Sequence, residues 1–312
     1  MKIAITGGTG FVGRHLARAL VNDNHSVILL ARGVDERDKQ IRNLPRAEFV
    51  ASSLDNVDEL IPILKGCDAV AHCAGINREI GRQTYQKVHV EATQNIIQAA
   101  MKSDVNHIVL LSFLRARPDC GSAYHESKWA AEEIVRASGL SYTIIKAGMI
   151  YGKGDHMLDH LSHTLHTVPL FAIVGLREKP IRPVCVDDVV KIIKNSFDDV
   201  RLSKKTFAVT GPQEMFLSDT VKEVARVLGK DVKIFPLPAW FHYTLAWVCE
   251  HTMKIPLISI AQVRMLTEGI TQTPYSCDPL PAELEPQTLF DAQQIQKGLP
   301  EPVPFGSKDC LI

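Results

Sequence analysis

The sequence predicts an α/β protein built on a doubly wound parallel sheet, with a smaller C-terminal subdomain. Strand-like and helix-like patterns alternate six times through the first half of the 312 residues, and the first strand turns through glycines into a helix. The strands are short and apolar, as in sheets covered by helices on both faces. We expect the sheet domain over 1–150 and 181–212, and the smaller subdomain over 151–180 and 213–312.

The first strand, over 2–6, runs directly into Gly7, Gly8, Gly10 and Gly13, where a helical pattern begins. A helix N-terminus offers unpaired N–H groups and a partial positive charge to an anion. Glycines permit a tight turn, a close approach of the backbone to a phosphate and a close contact between helix and strand. This context favours a dinucleotide cradle over the alternative, which is a glycine-rich turn without a ligand.

The rest of the first half continues the alternation. Asp55 can cap a helix that ends at Leu64, apolar residues recur at helical spacing over 83–101, and Gly139 ends a helix over 122–138. Further strands are expected at 26–30, 47–51, 68–72, 107–111 and 142–146. In such a sheet the ligand lies beyond the carboxyl ends of the strands.

The second half is less regular. We expect strands or helices at 184–197, 206–210, 217–228, 232–235 and 240–253, with a polar, histidine-rich stretch over 152–167 and an apolar one over 169–175. The last forty residues are rich in proline and are expected to wrap the surface.

Composition excludes several classes of function. Thirty-five basic and thirty-five acidic side chains leave no net charge, which argues against a nucleic-acid binder. No apolar run is long enough for a transmembrane helix, and the segment after Met1 does not resemble a secretory signal. Seven scattered cysteines without a C-x-x-C pair are typical of reduced thiols in a cytoplasmic protein.

Tyr124 and Lys128 are four residues apart on a predicted helix, so they share one face. An unaided phenol has a pKa near 10, too high for acid–base work at neutral pH. We expect the neighbouring ammonium to lower the pKa of the phenol and to donate to the ribose hydroxyls of a cofactor. A plain helix surface is the alternative for such a pair.

With both motifs in place, the chain resembles the extended and atypical branches of the short-chain dehydrogenase/reductase superfamily, which have a Rossmann fold. Within that superfamily it looks closest to relatives of the nucleotide-binding accessory subunit of respiratory complex I. The resemblance covers about residues 1–215. The matching segments are Thr6–Gly13, Tyr124–Lys128, His72–Gly75, Lys146–Gly152 and Arg182–Val189.

The resemblance implies an NAD(P)-dependent oxidoreductase, or an epimerase or dehydratase that recycles its nucleotide, acting on a small-molecule substrate bound by the smaller subdomain. Tyr124 would be the general acid or base, Lys128 its tuning partner and Ser112 the anchor for the substrate carbonyl. Leu114 stands where many extended members carry the serine, and Ser122 is a possible substitute. The alternative is a protein that binds the nucleotide without turnover, as a redox sensor or as an assembly or structural subunit.

The same resemblance assigns the cofactor contacts. Ala31 stands where an acidic residue would favour NAD, and Arg32 follows it, so the sequence favours NADP over NAD. Alternatively, Arg32 is solvated or pairs with Asp35 or Glu36. The predicted contacts are Gly7, Thr9, Gly10, Phe11, Val12, Gly13, Arg32, Ser53, Leu54, Ala74, Gly75, Lys128, Gly148 and Ile150.

Three further features have two interpretations each. His156, His160 and His163 lie at helical spacing and form either a metal-binding face or, as we expect, a polar helix without metal. The aromatic stretch 240–253 either faces a membrane or an apolar substrate, or packs in the core or in a homodimer. The cations Arg177, Lys179 and Arg182 either hold a substrate phosphate or lie in a solvated loop.

Overall fold

A computed structural model of the chain describes residues 1–33, 38–253 and 258–301. The chain forms two compact units, each built from segments that are distant in sequence. The first unit contains Met1–Ala147, Val186–Val209 and Gln272–Glu285. The second contains Gly148–Cys185, Thr210–Thr271 and the described residues from 286 onwards.

The secondary structure follows the predicted alternation. The strands are β1 (Lys2–Thr6), β2 (Ser26–Ala31), β3 (Ala47–Ala51), β4 (Ala69–His72), β5 (His107–Phe113), β6 (Ser141–Ala147), β7 (Ile150–Tyr151), β8 (Leu170–Val174), β9 (Val184–Cys185), β10 (Lys205–Val209) and β11 (Lys233–Leu237). The α-helices are α1 (Phe11–Asn22), α2 (Val57–Leu64), α3 (Ala92–Lys102), α4 (Ala123–Ala137), α5 (His156–Thr167), α6 (Val186–Asn195), α7 (Leu217–Val227), α8 (Ala239–Thr252), α9 (Ile260–Glu268) and α10 (Ala292–Gly298).

The first unit is a seven-stranded parallel sheet in the order β10-β6-β5-β4-β1-β2-β3. The chain reverses its direction of winding between β1 and β4, the place where doubly wound sheets bind ligands. The predicted fold class is therefore confirmed. One face of the sheet packs on α2, α3 and α4 through a core that includes Leu60, Ile96, Val135 and Ile144.

Two local predictions are corrected. Asp55 was expected to cap α2, but its carboxylate accepts from the Ser53 hydroxyl. The cap is Asn56, whose side chain accepts from the Asp58 N–H at 3.0 Å. The single helix expected over 83–101 contains a π-helical turn at Gln86–Glu91, which leads directly into α3. A π turn inserts one residue into the helix and often marks a functional site.

In the second unit, β8 and β11 pair in parallel, and β7 pairs with β9. Helices α5 and α7 enclose a core around Tyr151, Leu158, Val224 and Phe290. Sequence patterns missed the short helices α9 and α10, because nine and seven residues offer too few repeats to stand out from a proline-rich background.

Residues 272–285, expected in the smaller subdomain, lie in the first unit, where the Asp278 carboxylate accepts from Lys205 at 2.8 Å. Substrate binding by the second unit stays a prediction. Within the described ranges, no helix has both the length and the apolar character needed to cross a membrane. The six cysteines in those ranges are free thiols, and Cys310 lies outside them.

Candidate nucleotide and catalytic site

The glycine turn between β1 and α1 is closed by its own backbone. Gly7 adopts a φ of +66°, which favours glycine, and the Gly10 N–H donates to its carbonyl at 2.8 Å. A Cβ on Gly13 would overlap the same Gly7 carbonyl, so only glycine lets the helix approach this closely. Gly10 occupies the N-cap position of α1, and Thr9, Phe11 and Val12 complete the turn and the first helical residues. The turn therefore has the shape expected of a phosphate cradle, and its contact with a phosphate stays a prediction.

The loop after β4 lies against this turn. A Cβ on Gly7 would come within 2.9 Å of the Ala74 backbone, and the Ala74 N–H donates to the Thr6 hydroxyl at 3.2 Å. On the other side, the Gly8 N–H donates to the Leu30 carbonyl of β2 at 3.3 Å. The turn is therefore held between the two strands that flank β1.

Lys128 reaches the loop after β4 from α4. Its side chain is 9% exposed, and its ammonium donates to the Leu111 carbonyl at 3.2 Å. A Cβ on Gly75 would lie 3.1 Å from Lys128 Nζ, so the glycine leaves room for the ammonium beside the backbone. Burial lowers the pKa of Lys128 to about 8, although the nearby Cys73 and Glu132 oppose that shift.

Tyr124 lies in a cluster of aromatic rings. Its ring makes edge contacts with Tyr85, His89, Phe113 and His125, with centroids 5.4 to 5.7 Å apart. Burial raises the pKa of the phenol. This direction is opposite to the one expected from Lys128, since removal of the phenol from water is its cause. The phenol is therefore neutral at physiological pH in the protein alone.

Ser112 is bound inside a charged cluster on the opposite side of its strand from Phe113. Its hydroxyl donates to Glu132 at 2.5 Å, and Lys146 donates to both carboxylate oxygens of Glu132 at 2.7 and 2.8 Å. Arg136 adds a further bond to Glu132 at 2.9 Å. The only hydrogen of the Ser112 hydroxyl is thus used, and its expected role as a carbonyl anchor stays a prediction.

Sequence reasoning missed the two central members of this cluster, which are both buried. Glu132 is 0% exposed and Lys146 is 1% exposed. Two features of the sequence could have drawn attention to them. Glu132 lies one helical turn after Lys128, and Lys146 is a charged residue at the end of the predicted strand 142–146. Nothing in the sequence indicated that the two side chains meet.

The alternative anchor, Ser122, lies at the N-cap position of α4. Its hydroxyl is hydrogen-bonded to the ring of His125 at 2.7 Å instead of capping the helix. The exposed N–H groups of Cys120 and Gly121 are bound by the Glu126 carboxylate at 2.9 and 2.7 Å. Leu114, which replaces the serine of many extended members, is fully buried.

The predicted adenosine contacts lie at the carboxyl ends of β2 and β3. Arg32 is exposed and directly follows β2, whereas Asp35 and Glu36 lie outside the described residues. Ser53 and Leu54 follow β3, and Leu54 has a φ of +64° that is supported by a bond from the Asn95 amide to its carbonyl at 2.9 Å. A left-handed leucine is rare and is found where a loop must take one particular shape.

The remaining predicted residues lie in the second unit. Gly148 begins that unit and Ile150 belongs to β7, so their contact with a cofactor stays a prediction. His156, His160 and His163 do form a helix, α5, which Asp155 caps by accepting from the Leu158 N–H at 2.7 Å. Within the described ranges, no group of three or more His, Cys, Asp or Glu side chains is arranged to hold a metal.

Comparison with known proteins agrees with this geometry. The model of the NAD(P)H-binding family matches residues 7–163, which is half of the chain and includes the glycine turn, the β4 loop and the Tyr124–Lys128 pair. The chain belongs to the NAD(P)H-binding family. The expected resemblance to the extended and atypical short-chain dehydrogenase/reductases, and to complex I subunits among them, is confirmed.

Two curated members illustrate the range of this NAD(P)H-binding family. The ceramide reductase of Caulobacter vibrioides is 35% identical over 182 residues, which is 58% of this chain and 53% of that protein. The 40 kDa subunit of the NADH-ubiquinone oxidoreductase of Neurospora crassa is 22% identical over 83% of this chain and 68% of its own length. The chain spans about a quarter of the uncharacterized Mycobacterium tuberculosis protein Rv2047c, at 22% identity over 85% of this chain.

Among solved structures, the UDP-glucuronic acid 4-epimerase of Bacillus cereus in complex with NAD is similar, with a TM-score of 0.72. It is 16% identical, and the match covers 96% of this chain and 97% of that one. At this identity the likeness shows the fold alone.

Proposed function

We propose that the chain is an NADP(H)-dependent oxidoreductase that uses Tyr124 and Lys128 as its acid–base pair. One observation carries the proposal: the Lys128 ammonium touches the β4 loop at Gly75, and that same loop packs against the glycine turn at Gly7. A helix surface without function would not bury a lysine at the loop that flanks a phosphate cradle.

The residues fit a dinucleotide, since a Cβ on Gly7 or Gly13 would overlap neighbouring backbone, and the tight turn that these glycines permit presents the N-terminus of α1 next to the carboxyl end of β1. The turn of Gly7, Thr9 and Gly10 would hold the pyrophosphate, and Lys128 would donate to a ribose. A bound nicotinamide dinucleotide supplies hydride transfer. The protein itself orients the substrate and supplies or removes a proton at the phenol oxygen of Tyr124.

The protonation states favour reduction of a carbonyl. Burial keeps the Tyr124 phenol neutral, which is the form that donates a proton to a developing alkoxide. Lys128 donates N–H groups that stabilise the phenolate left behind. Proton transfer from such a positioned group contributes rate factors of about 10² to 10⁴.

The proposal is tested by following NADPH oxidation with a panel of carbonyl compounds. The panel includes aldehydes, simple ketones and long-chain keto lipids, because a relative is named a ceramide reductase. Nucleotide-linked sugars are followed by separating the epimers, because an epimerase recycles its nucleotide and leaves the NADPH concentration unchanged; the named neighbour is an epimerase of such a sugar. Tight binding of NADPH without turnover of any compound would contradict the enzymatic part of the proposal.

A second candidate is a nucleotide-binding subunit without turnover. The Ser112 hydroxyl, which would anchor a carbonyl, is instead bonded to Glu132, and one relative is a subunit of a respiratory oxidoreductase. This candidate predicts the same nucleotide binding and a stable partner protein. A cytoplasmic location and a homodimer stay predictions from the sequence.

Arg32→Ala is expected to lower the affinity for NADPH about tenfold or more while changing that for NADH less than about twofold. A guanidinium at the end of β2 can bind the 2′-phosphate, and such charge-assisted bonds contribute about 1.5–3 kcal/mol. Fluorescence titration with both nucleotides measures the ratio. Arg46→Ala is the control. Arg46 lies at the amino-terminal end of β3, whereas Arg32 follows the carboxyl end of β2, and Arg46 donates to the Asn24 carbonyl. An unchanged ratio in Arg32→Ala would assign the preference to other residues.

Nucleotide affinity is expected to decrease as pH rises through about 8. Burial lowers the pKa of Lys128 to that value, so the positive charge is present below pH 8 and is lost above it. Titrations with NADPH between pH 7 and 9.5 should show a decrease of up to about tenfold per pH unit above the transition. Lys128→Met should bind weakly and without this dependence, whereas the exposed Lys65→Met should keep the wild-type profile. A flat wild-type profile would remove Lys128 from the binding site.

A further inference from the structure

A continuous chain of buried side chains connects the glycine turn with α4. The Thr6 hydroxyl lies 2.7 Å from His72 Nδ1, and His72 Nε2 lies 3.1 Å from the Thr93 hydroxyl. Thr93 donates to the carbonyl of His89, and His89 Nδ1 lies 2.9 Å from the Ser127 hydroxyl. All five side chains are at most 8% exposed.

The last hydrogen bond of this series reaches the backbone of Tyr124, the proposed acid. The Ser127 hydroxyl donates to the Tyr124 carbonyl at 3.0 Å, and the Ile76 N–H donates to His89 Nε2 at 3.1 Å. The chain therefore joins four elements: β1, β4, the π turn with α3, and α4. Of these, β1 leads into the glycine turn, β4 leads into the loop of Ala74 and Gly75, and α4 carries Tyr124 and Lys128.

For neutral rings, the hydrogens in this series of bonds follow from the partners of each hydroxyl. A hydroxyl has one hydrogen to donate, and a backbone carbonyl can only accept. Thr93 uses its hydrogen on the His89 carbonyl, so it accepts from His72 Nε2–H, and His72 Nδ1 must accept from Thr6. Ser127 uses its hydrogen on Tyr124, so His89 carries its proton on Nδ1 and accepts from Ile76 at Nε2.

We infer that His72 and His89 are positioning residues, held as neutral rings in opposite tautomers, which tie the glycine turn to α4 and thereby fix Tyr124 relative to the bound nucleotide. The inference rests on the proposed function only for the identity of that ligand. His89 lies in the π turn and Thr93 one helical turn later in α3, so these two buried side chains share one face of the helix.

The surroundings keep both rings uncharged. Burial and the Lys128 ammonium lower the pKa of His72 to about 3, and the same two causes, together with His72, lower that of His89. A protonated His89 could not accept from the Ile76 N–H, so that bond would break, whereas a protonated His72 could still donate to the Thr6 hydroxyl oxygen. The geometry therefore requires a neutral His89, and the electrostatics favour neutral rings at both positions.

Thr93→Val interrupts the series of hydrogen bonds at its middle, because valine keeps the shape of the side chain and removes the hydroxyl. Thr143→Val is the matched control: Thr143 is also buried in the first unit, and its hydroxyl donates to the Leu202 carbonyl at 2.9 Å. Both variants should lose similar stability in urea. Only Thr93→Val should weaken NADPH binding, by about five- to tenfold, the factor expected from one buried hydrogen bond. Thr93→Ser should restore the affinity.

Ring nitrogen spectra of the nucleotide-free protein supply the independent readout. Wild-type protein should show His72 protonated at Nε2 and His89 protonated at Nδ1, and Thr93→Val should disturb His72 while Thr143→Val does not. The reverse tautomers, or unchanged NADPH affinity in folded Thr93→Val, would overturn the inference. If wild-type protein bound neither NADPH nor NADH, the proposed function would fail. The tautomers of His72 and His89 would still show whether the series of hydrogen bonds from Thr6 to Ser127 is formed.

Discussion

Tyr124→Phe is expected to lower kcat for carbonyl reduction by a factor of about 10² to 10⁴, with little change in the affinity for NADPH. The substitution removes the proton donor and leaves the aromatic ring among Tyr85, His89, Phe113 and His125. The measurement is NADPH oxidation under saturating conditions with any substrate that the panel identifies. Nucleotide titration of the same variant separates a loss of chemistry from a loss of binding.

Tyr85→Phe is the control for this variant. Tyr85 packs against the Tyr124 ring, and its hydroxyl donates to the Asn77 carbonyl at 2.9 Å. The control variant therefore also loses one phenolic hydroxyl from the same cluster. We expect a change in kcat of only a few-fold. Equal rates in wild type and Tyr124→Phe would exclude the phenol as the acid.

Glu132→Gln is expected to destabilise the protein by about 3–5 kcal/mol, the cost of breaking a buried ion pair by removing one partner. The variant leaves the Lys146 ammonium, 1% exposed, without its counter-ion. Urea unfolding followed by tryptophan fluorescence measures the effect. Trp129 reports on the cluster directly, since Arg136 and Lys146 each lie 5.3 Å from its ring.

Two further variants separate burial from charge. The pair Glu223–Arg226 is exposed on one helix, so Glu223→Gln should cost less than about 0.5 kcal/mol. Adding Lys146→Met to Glu132→Gln should recover part of the loss, because it removes the stranded cation. A cost for Glu132→Gln as small as that for Glu223→Gln would show that the cluster is hydrated in solution.

Local features of the sequence predicted the scaffold correctly because they act over a few residues. The glycine turn needs its φ angle and its close contacts whatever surrounds it, and a spacing of four places Tyr124 and Lys128 on one helical face in any helix. The strands of the sheet were predicted to within three residues at either end, because buried parallel strands are continuous apolar runs. Errors appeared at Asn56, where two neighbouring side chains compete for the cap, and at the π turn, where His89 bonds to Ser127, 38 residues away.

The candidate site also combines local and long-range features. Ser112 was predicted to contact the substrate from its position in the sequence. In the structure its hydroxyl is bonded to Glu132, which also binds Lys146 and Arg136. The pKa of Tyr124 moves in the direction opposite to the one expected from Lys128, because burial raises it, and spacing along a helix contains no information on how completely a group is removed from water.

The sequence alone determined the parallel sheet and the shape of the glycine turn, and it predicted the pair of residues that would carry the chemistry, since each follows from backbone preferences and side-chain periodicity over short distances. Only the tertiary structure decided the direction of the Tyr124 pKa shift, the bonding of Ser112 and the series of hydrogen bonds from Thr6 to Ser127. These depend on burial and on hydrogen-bond partners as many as 66 residues apart in the chain, as for Thr6 and His72. Such energies arise only when the helices have packed on the sheet and excluded water from between them.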